Sequence, residues 1–309
     1  MPEIAASHPK RALIATLLNE AGAVEKWWSC LGAQTDQPDE IVIVDGGSRD
    51  GTWEKLQSLA TKNATPVRLE QRRCNIAEGR NCAIRLTDAE IIVSTDAGSF
   101  PDANWFRELT RPLLEDPTID IVGGRTCSVC ETPFQKYLRL FEPAHDTPQA
   151  EGAVFSSSRN IAYRKKTWEA VGGYPEWLTL AAEDALFNYE LHAIGMKFVP
   201  NPQAIVHWPE RSAERDYLRL LYRNGFGAAE AKLYTSLFLQ KLLIVLLPPL
   251  LLLSRHRFSH LRFRYLRSFS AAMGWLAGKL RGKRPPPGWQ RQEGVLLSPE
   301  AQRHLKEKT

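Results

Sequence analysis

The stretch EIVIVDGGSRDGT, residues 40–52, places a short β-branched run directly before a turn and the start of a helix. The run stops at Asp45, two glycines follow, and Ser48 or Asp50 can cap the helix predicted from 52 to 61. A strand that is apolar along its whole length and leads straight into a helix is typical of a parallel sheet covered on both faces. The stretch therefore predicts an α/β fold.

The same alternation of short apolar runs and helical segments extends on both sides of this stretch. We predict further strands at 12–18, 66–70, 89–96 and 119–126, and further helices at 24–32, 75–87 and 102–114. Polar residues follow three of the strands, namely Asn19, Glu20, Asp45 and Asp96. In sheets of this kind ligands bind beyond the carboxyl ends of the strands, so we expect these side chains to share one ligand-binding edge.

Composition separates the chain into a large acidic part and a small basic one. The 309 residues are 43% hydrophobic and 24% charged, an ordinary globular mixture that is long enough for one large domain or two modest ones. Residues 254–309 contain thirteen Lys and Arg against three Glu, so this tail carries +10, the preceding residues carry −5, and the total is +5. Basic tails bind anionic surfaces, either nucleic acid or a membrane leaflet.

Residue spacing argues against several common sites. No GxGxxG or GxxxxGK[ST] motif occurs, which argues against a dinucleotide-binding site and a P-loop. Cys127 and Cys130 form a lone CxxC without a second pair or a His cluster, so free thiols are favoured over a zinc or redox site. The first twenty residues contain no apolar core of signal-peptide length, so we expect the catalytic part to stay in a reducing cytoplasm.

Six blocks of the sequence resemble, in order and spacing, the inverting family 2 glycosyltransferases of the GT-A fold. They are TLLNE, IVIVDGGSRDGT, RCNIAEGRNCAI, IIVSTDAGSFPDANW, SSSRNIAYRKKTWEAVGGYPE and AAEDALFNYEL, and they lie within residues 10–230. Downstream, HWPERS and YRNGFG resemble blocks of membrane-associated, succinoglycan-type ExoA members. The resemblance implies a mixed, mainly parallel sheet flanked by helices. It also implies transfer of a sugar from a nucleotide-diphosphate donor to a hydroxyl acceptor with inversion.

The resemblance assigns donor binding to the edge of the sheet. It implies that Asp45 accepts a hydrogen bond from the nucleobase, which suits the imide of uracil and favours a UDP-sugar; a helix-capping Asp is the alternative. Arg80 matches the family's Arg-Asn pair, and its planar fork suits a diphosphate; a salt bridge to Glu78 or a neighbour is the alternative. The residues expected to bind the donor are Asn19, Glu20, Asp45, Arg80, Asp96, Arg211 and Arg223.

The AAEDALF block supplies the expected catalytic base. An inverting transfer is one in-line displacement, so one general base that takes the proton of the acceptor hydroxyl suffices. The resemblance assigns this role to Asp184 and leaves Glu183 as its supporting partner, whereas the alternative is an acidic pair that only stabilises a helix N-terminus. The acceptor side is expected to include Trp177, Gly152 and residues 156–158.

The resemblance implies a metal ion, but the motif that usually binds it carries a substitution in this sequence. The family pattern is Asp-x-Asp, but this sequence reads Asp96-Ala97-Gly98, so one carboxylate is missing. Mg²⁺ or Mn²⁺ can still bind one carboxylate, phosphate oxygens and water. His207 ends the strand-like QAIVHW where relatives have a metal-facing His, and we predict it as a ligand beside Asp96; a structural His is the alternative. The arginines that can replace a metal are Arg80, Arg211 and Arg223.

From residue 233 the sequence becomes apolar and then basic. The run 242–253 contains Pro248 and Pro249, so an interfacial or re-entrant segment is favoured over a spanning helix, with a core helix or a dimer interface as the alternatives. The basic, aromatic segment that follows is typical of a helix lying on an anionic bilayer, and the adjacent apolar run argues against a nucleic-acid partner. We predict a GT-A domain over 1–232, a membrane-associating helical region over 233–284 and a polar, flexible tail over 285–309.

Together these features predict a glycosyltransferase at the cytoplasmic face of the inner or plasma membrane, with a lipid-linked or polysaccharide-precursor acceptor. Two alternatives stay open. A nucleotidyltransferase needs a glycine-rich, basic phosphate loop at the first strand, and TLLNEAGAV lacks one. A catalytically silent nucleotide-sugar-binding protein of the same fold is favoured by Gly98 and opposed by Asp184.

Overall fold

Strands and helices alternate through residues 8–141, 157–253 and 260–308, which the computed structural model describes. The strands are β1 (Arg11–Leu17), β2 (Glu40–Asp45), β3 (Val67–Gln71), β4 (Ile91–Thr95), β5 (Phe100–Pro101), β6 (Ile121–Val129), β7 (Asn160–Arg164), β8 (Phe198–Pro209), β9 (Gln290–Gln292) and β10 (Val295–Leu297). The helices are α1 (Val24–Gly32), α2 (Thr52–Ala60), α3 (Ile76–Arg85), α4 (Trp105–Glu115), α5 (Pro133–Leu138), α6 (Lys165–Ala170), α7 (Glu183–Ala193), α8 (Glu214–Glu230), α9 (Thr235–Leu246), α10 (Leu261–Arg281) and α11 (Pro299–Lys308), with a 3₁₀ helix over Pro248–Leu253. Every element predicted before residue 127 is present, so these predictions are confirmed.

Eight strands form one mixed sheet in the order β3-β2-β1-β4-β7-β6-β8-β5. The strands β3, β2, β1 and β4 are parallel, as predicted. Beyond β4 the directions change, because β7 lies antiparallel between β4 and β6. The register places Leu17 opposite Asp45 and Ala15 opposite Thr95, so the carboxyl ends of β1, β2 and β4 meet at one edge. This confirms the predicted shared edge.

Apolar side chains cover both faces of the sheet. On one face, Trp27 of α1 and Trp105 and Phe106 of α4 are fully buried. On the other face, Tyr163 and Phe187 are fully buried together with residues of α3 and α6. Burial on both faces explains why β1, β2 and β4 are apolar throughout instead of alternating with polar residues.

The start of α7 is supported by α8, and α8 is supported by α10. A Cβ on Gly274 of α10 would lie 2.0 Å from the carbonyl oxygen of Tyr222 in α8, so the two helices cross at a distance that excludes any larger residue. A Cβ on Gly227 of α8 would lie 2.2 Å from the carbonyl oxygen of Ala181, just before α7. The C-terminal helices therefore hold the segment that leads into α7.

Helix α10 uses most of its apolar residues for packing inside the protein. The Phe263 ring lies 5.9 Å from the ring of Tyr217 in α8, and Trp275 stacks nearly parallel to Phe238 of α9 with a centroid distance of 6.4 Å. These apolar side chains are therefore covered by α8 and α9 and not available to a bilayer, whereas the membrane association predicted for the basic region as a whole stays a prediction.

Helix α9 has the opposite character. Its buried residue is Phe238, whereas Leu239, Leu243 and Leu246 are 50%, 49% and 68% exposed along one side. The helix ends before the proline pair, where the 3₁₀ helix begins. No helix within the described ranges has the length and apolar character that crossing a bilayer requires.

The tail predicted to be flexible over 285–309 is folded in its described part, so that prediction is wrong there. Strands β9 and β10 form an antiparallel hairpin, and α11 follows. Leu297 and Ala301 are at most 1% exposed and belong to the core beside α3, α6 and α7. The backbone N–H of Ser298 donates to Glu190 Oε1 of α7 at 2.6 Å. A few apolar residues among many charges attach this segment, and they are too few to produce a periodic signal.

Candidate functional site

The loops after β1 and β2 are joined to each other at the carboxyl edge of the sheet. Ser48 Oγ accepts a hydrogen bond from the backbone N–H of Asn19 at 2.8 Å, and Asn19 Oδ1 accepts one from the N–H of Arg49 at 3.0 Å. Thr52 Oγ1 accepts one from the N–H of Glu20 at 2.8 Å. Asn19 has a φ of 57°, in the left-handed region that asparagine tolerates. Asn19 and Glu20 are thus held at the predicted edge by bonds within the protein.

Asp45 is completely buried at the end of β2. Its Oδ1 accepts hydrogen bonds from the backbone N–H groups of Gly47 and Ser48, both at 2.7 Å, so this carboxylate orders the turn that leads towards α2. Its Oδ2 is buried and has no hydrogen-bond partner among the described residues. The nucleobase contact stays a prediction, and it requires the turn to move until Oδ2 is accessible.

Arg80 of α3 joins two carboxylates that lie far apart in the sequence. Its Nη1 donates to Glu183 Oε1 at 2.8 Å, and its Nη2 donates to Asp96 Oδ1 at 2.9 Å. Burial alone lowers the pKa of this guanidinium, but the carboxylates of Asp96 and Glu183 outweigh burial and raise the pKa, so Arg80 stays charged. Glu78, the alternative partner, accepts a bond from the backbone N–H of Asn75 instead. Arg80 therefore fixes the positions of Asp96 and Glu183.

Glu183 and Asp184 are neighbours in sequence with different surroundings. Glu183 is 7% exposed, and burial and the charge of Asp184 raise its pKa against the opposing effect of Arg80. Asp184 lines a cavity, and its Oδ1 accepts a bond from the N–H of Ala185 at 2.8 Å. Ala182, just before them, has a φ of 75°, a strained value for a residue other than glycine that is often found at functional sites. The fold thus presents Asp184, and not Glu183, to the cavity.

The cavity beside Asp184 has a volume of about 510 Å³ and two unlike walls. The polar side chains in its lining include Arg125, Arg159, Asp184, Glu210, Arg211 and Asn224. The apolar side chains include Trp208, Leu220, Ala228, Tyr234, Leu237 and Phe238, from β8, α8 and the start of α9. A cationic region that suits phosphate oxygens therefore adjoins an apolar region that continues into the exposed side of α9.

Three of the predicted donor residues interact electrostatically with one another, and a fourth has a different partner. Burial and the nearby charge of Asp96 raise the pKa of Glu20, whereas Arg211 lowers it, so these three residues lie within electrostatic reach of one another. Arg211 is exposed and lines the cavity. Arg223, which is also exposed, instead donates to the carbonyl oxygen of Leu180 at 3.3 Å.

The residues predicted for the acceptor side have separate locations. The Trp177 ring meets that of Trp289 at 5.7 Å and packs against the C-terminal segment. Ser157 lines the cavity, whereas Ser158 is buried and bonds to Tyr174. Gly152 and Ser156 lie outside the described residues.

The predicted metal ligands Asp96 and His207 have different neighbours. His207 Nε2 lies 2.9 Å from Asp102 Oδ1. Trp208, the next residue of β8, lines the cavity, and consecutive side chains of a strand point to opposite faces. Across the three described ranges, no group of three or more His, Cys, Asp or Glu residues could hold a metal ion. His207 thus has Asp102 as its neighbour, and the predicted metal role of Asp96 and His207 stays a prediction.

The sequence analysis missed the contributions of Arg159 and Trp208. The guanidinium carbon of Arg159 lies 3.9 Å from the centroid of the Trp208 ring, and its Nε lies 3.9 Å from Asp96 Oδ2. The available signal was that both residues belong to recognised blocks, SSSRN and HWPERS. Only the direction of each side chain shows which members of a block face the cavity.

The fold and the edge at which the polar side chains meet describe the candidate site, and the family match identifies the class of protein. The family described as "Glycosyl transferase family 2" matches residues 13–172, more than half of the chain. The chain therefore belongs to glycosyl transferase family 2, and the resemblance seen in the sequence is confirmed.

Relatives and solved structures agree with this assignment. The O-antigen chain rhamnosyltransferase RfbN of Salmonella typhimurium is 26% identical over 204 residues, which are 62% of this chain and 64% of RfbN, so the chain spans slightly less than two thirds of that relative. The succinoglycan biosynthesis protein ExoA of Rhizobium meliloti is 25% identical over 232 residues, 71% of this chain and 68% of ExoA. The mannosyltransferase PcManGT of Pyrobaculum calidifontis, solved with GDP-Man and Mn²⁺, has a TM-score of 0.57 at 22% identity, covers 91% of this chain and 78% of its own, and shows the shared fold.

Proposed function

We propose that the protein is a glycosyltransferase that moves a sugar from a nucleoside-diphosphate donor to a hydroxyl acceptor with inversion. The observation that carries the proposal is the position of Asp184 in a cavity with one cationic and one apolar wall. The cationic wall suits a diphosphate, and the family membership of the chain supports sugar transfer as the reaction.

Asp184 is the general base of this proposal. It takes the proton of the acceptor hydroxyl while the acceptor oxygen attacks the anomeric carbon, and one such residue is sufficient for a single displacement. Glu183 is unsuited to this role because Arg80 binds it and the protein encloses it. Its contribution is to fix Arg80, and through Arg80 the position of Asp96.

A divalent ion is expected from the resemblance, and the neighbouring structure of PcManGT was solved with Mn²⁺. Here Asp96 is bound by Arg80, and His207 lies on Asp102. Both predicted ligands thus have other partners, and no step of the proposed reaction is assigned to the ion.

The acceptor in this proposal is amphiphilic, a growing polysaccharide unit carried on a lipid. Leu220, Leu237 and Phe238 give the cavity its apolar wall, and the exposed leucines of α9 extend this surface outwards. The relatives RfbN and ExoA carry names that refer to the O-antigen chain and to succinoglycan biosynthesis. An acceptor anchored in a membrane would bring its hydroxyl to Asp184 along this apolar wall.

The place of the reaction is, in this proposal, the cytoplasmic face of the inner or plasma membrane. The exposed side of α9 would enter the interface, and the +10 charge of residues 254–309 would be attracted to the anionic cytoplasmic leaflet.

The test is the release of nucleoside diphosphate from a panel of UDP-, GDP- and dTDP-sugars. The full chain is assayed with and without a membrane lipid extract as the acceptor, and Asp184→Asn serves as the matched blank. We expect one donor to give release that depends on the acceptor and disappears in Asp184→Asn. Tight donor binding with no release from any donor or acceptor would instead support a silent binding protein.

A further inference from the structure

We propose that Arg159, held between Asp96 and Trp208, supplies the positive charge that stabilises the departing diphosphate in place of a divalent metal ion. This inference rests on the proposed function, since it concerns the leaving group of the same reaction. It assigns a role to a residue that the sequence motifs left without one.

The side chains expected to hold a metal already have other partners. Asp96 Oδ1 accepts a hydrogen bond from Arg80 at 2.9 Å, so this carboxylate already has a buried cationic partner. At the second position of the motif stands Gly98, and a Cβ there would lie 3.5 Å from the Trp208 ring. An aromatic ring therefore occupies the space beside the missing carboxylate. His207 is on the other face of β8.

An aromatic ring and a carboxylate hold the Arg159 side chain in place. Its guanidinium carbon lies 3.9 Å from the centroid of the Trp208 ring, within the range of a cation–π contact. Its Nε lies 3.9 Å from Asp96 Oδ2, which is an ion pair but too long for a hydrogen bond. The side chain is 22% exposed, and Nε has no hydrogen-bond partner among the described residues. Asp96 and Trp208 thus orient the guanidinium without using its Nε–H.

The cavity lining contains more positively charged than negatively charged side chains. Arg125 and Arg211 line it together with Arg159, and the Nε of Arg125 is also buried without a partner in the described residues. Three guanidinium groups therefore line a cavity whose lining also contains two carboxylates, Asp184 and Glu210, and Glu210 already accepts a hydrogen bond from Ser128. The remaining excess of positive charge suits an anionic ligand such as a diphosphate.

The chemistry of the step balances with these residues alone. The bond from the acceptor oxygen to the anomeric carbon forms as the bond from that carbon to the β-phosphate oxygen breaks. The acceptor proton passes to Asp184, and the electron pair of the broken bond stays on the diphosphate, which gains one negative charge. A guanidinium can donate two parallel N–H bonds to phosphate oxygens and remains charged at all working pH values. It can therefore take the electrostatic role that a metal ion has elsewhere.

The experiment measures binding of UDP, GDP and dTDP by calorimetry to the full chain in EDTA and in Mn²⁺. We expect the wild type to bind one of them with the same affinity, within about twofold, in both buffers. Arg159→Gln should weaken that affinity about tenfold or more, and Arg159→Lys, which keeps the charge and loses the planar fork, should weaken it less. Arg219→Gln is the matched control, because Arg219 is 55% exposed on α8 and pairs with Asp216.

The outcomes separate this inference from the proposed function. Binding that disappears in EDTA and returns with Mn²⁺ would overturn the arginine role and leave the transferase proposal intact. Unchanged affinity in Arg159→Gln would also overturn it. If the wild type binds none of the three nucleotides in either buffer, the proposed function fails and this inference fails with it.

Discussion

The carboxyl edge of the sheet and the helical wall, which consists of α8, α9 and α10, are stabilised by different kinds of contact. At the edge, polar side chains are bound mostly to one another, as in the Arg80 contacts with Asp96 and Glu183. In the helical wall, close contacts such as that of Gly274 with Tyr222 hold α10 to α8, while α9 leaves its leucines exposed. The edge is therefore organised before any ligand binds, whereas the wall keeps an apolar surface that has no partner in the described part of the chain.

The two regions meet between two adjacent residues. Glu183 belongs to the edge, since Arg80 binds it and it is buried. Asp184 belongs to the cavity that the wall completes. Changing each residue separately should therefore damage different properties, and the following predictions test that separation.

The largest expected effect is on turnover in Asp184→Asn. Loss of the general base should lower kcat about 10²–10⁴-fold, while the affinity for the donor stays nearly unchanged, because the base acts on the acceptor. The measurement is nucleoside-diphosphate release together with donor binding. Glu183→Gln is the neighbouring control and should lose stability rather than most of its turnover. Equal losses of binding and turnover in Asp184→Asn would place Asp184 in the donor site.

The next effect is on stability in Arg80→Gln. The Arg80 side chain is 3% exposed, and its removal leaves the carboxylates of Asp96 and Glu183 without their cation, so unfolding free energy should fall by about 3–5 kcal/mol. Chemical denaturation measures this change. The control is Arg85→Gln, because Arg85 lies about one and a half turns further along α3 and its side chain is 55% exposed. Its unfolding free energy should fall by less than about 1 kcal/mol. Equal losses in the two variants would contradict the separation of the edge from the surface.

A smaller effect is expected for the exposed side of α9. Replacing Leu239, Leu243 and Leu246 by Gln should reduce binding to anionic lipid vesicles about tenfold or more, because the apolar area available to the interface is lost. Co-sedimentation with vesicles measures this binding. Leu114→Gln, at a 38% exposed site on α4, should have no effect. Unchanged vesicle binding of the triple variant would show that the exposed side of α9 does not bind the membrane.

The last expected effect, which is small over any single pH step, is a pH dependence at the junction of α7 with the C-terminal segment. Burial raises the pKa of Glu190 from 4.5 to about 8. The folded chain therefore keeps a proton that the unfolded chain releases, so this contribution to stability is complete below pH 4.5 and is lost as the pH rises to 8. The loss is at most about 1.4 kcal/mol per pH unit. Denaturation of Glu190→Gln at several pH values should lack this slope, and an unchanged slope would assign it to another group.

The sheet was predictable from the sequence because its strands are buried on both faces. Continuous apolar runs such as that before Asp45 identify such strands, and their order in the chain sets the parallel half of the sheet. The insertion of β7 between β4 and β6 was not predictable, because strand pairing depends on contacts distant in sequence. The folded tail was missed for a related reason, since Leu297 and Ala301 are buried by partners far along the chain.

The residues that form the site were predictable from the sequence, but the directions of their side chains were not. The blocks that contain Asp96, Asp184 and Arg211 were found, and the structure brings these residues to one region. His207 and Trp208 are adjacent in one block, and strand geometry decides that the tryptophan faces the cavity. A sequence pattern gives the residue types at a site, but the face that each side chain occupies depends on the register of the sheet.

The central claim is that sugar transfer occurs in one displacement with Asp184 as the base. The most direct measurement is the anomeric configuration of the product, determined by NMR, against that of the nucleotide-sugar donor. A single displacement predicts that the configuration is inverted. A product that retains the donor's configuration would require two successive displacements and a second nucleophile, and would contradict the claim.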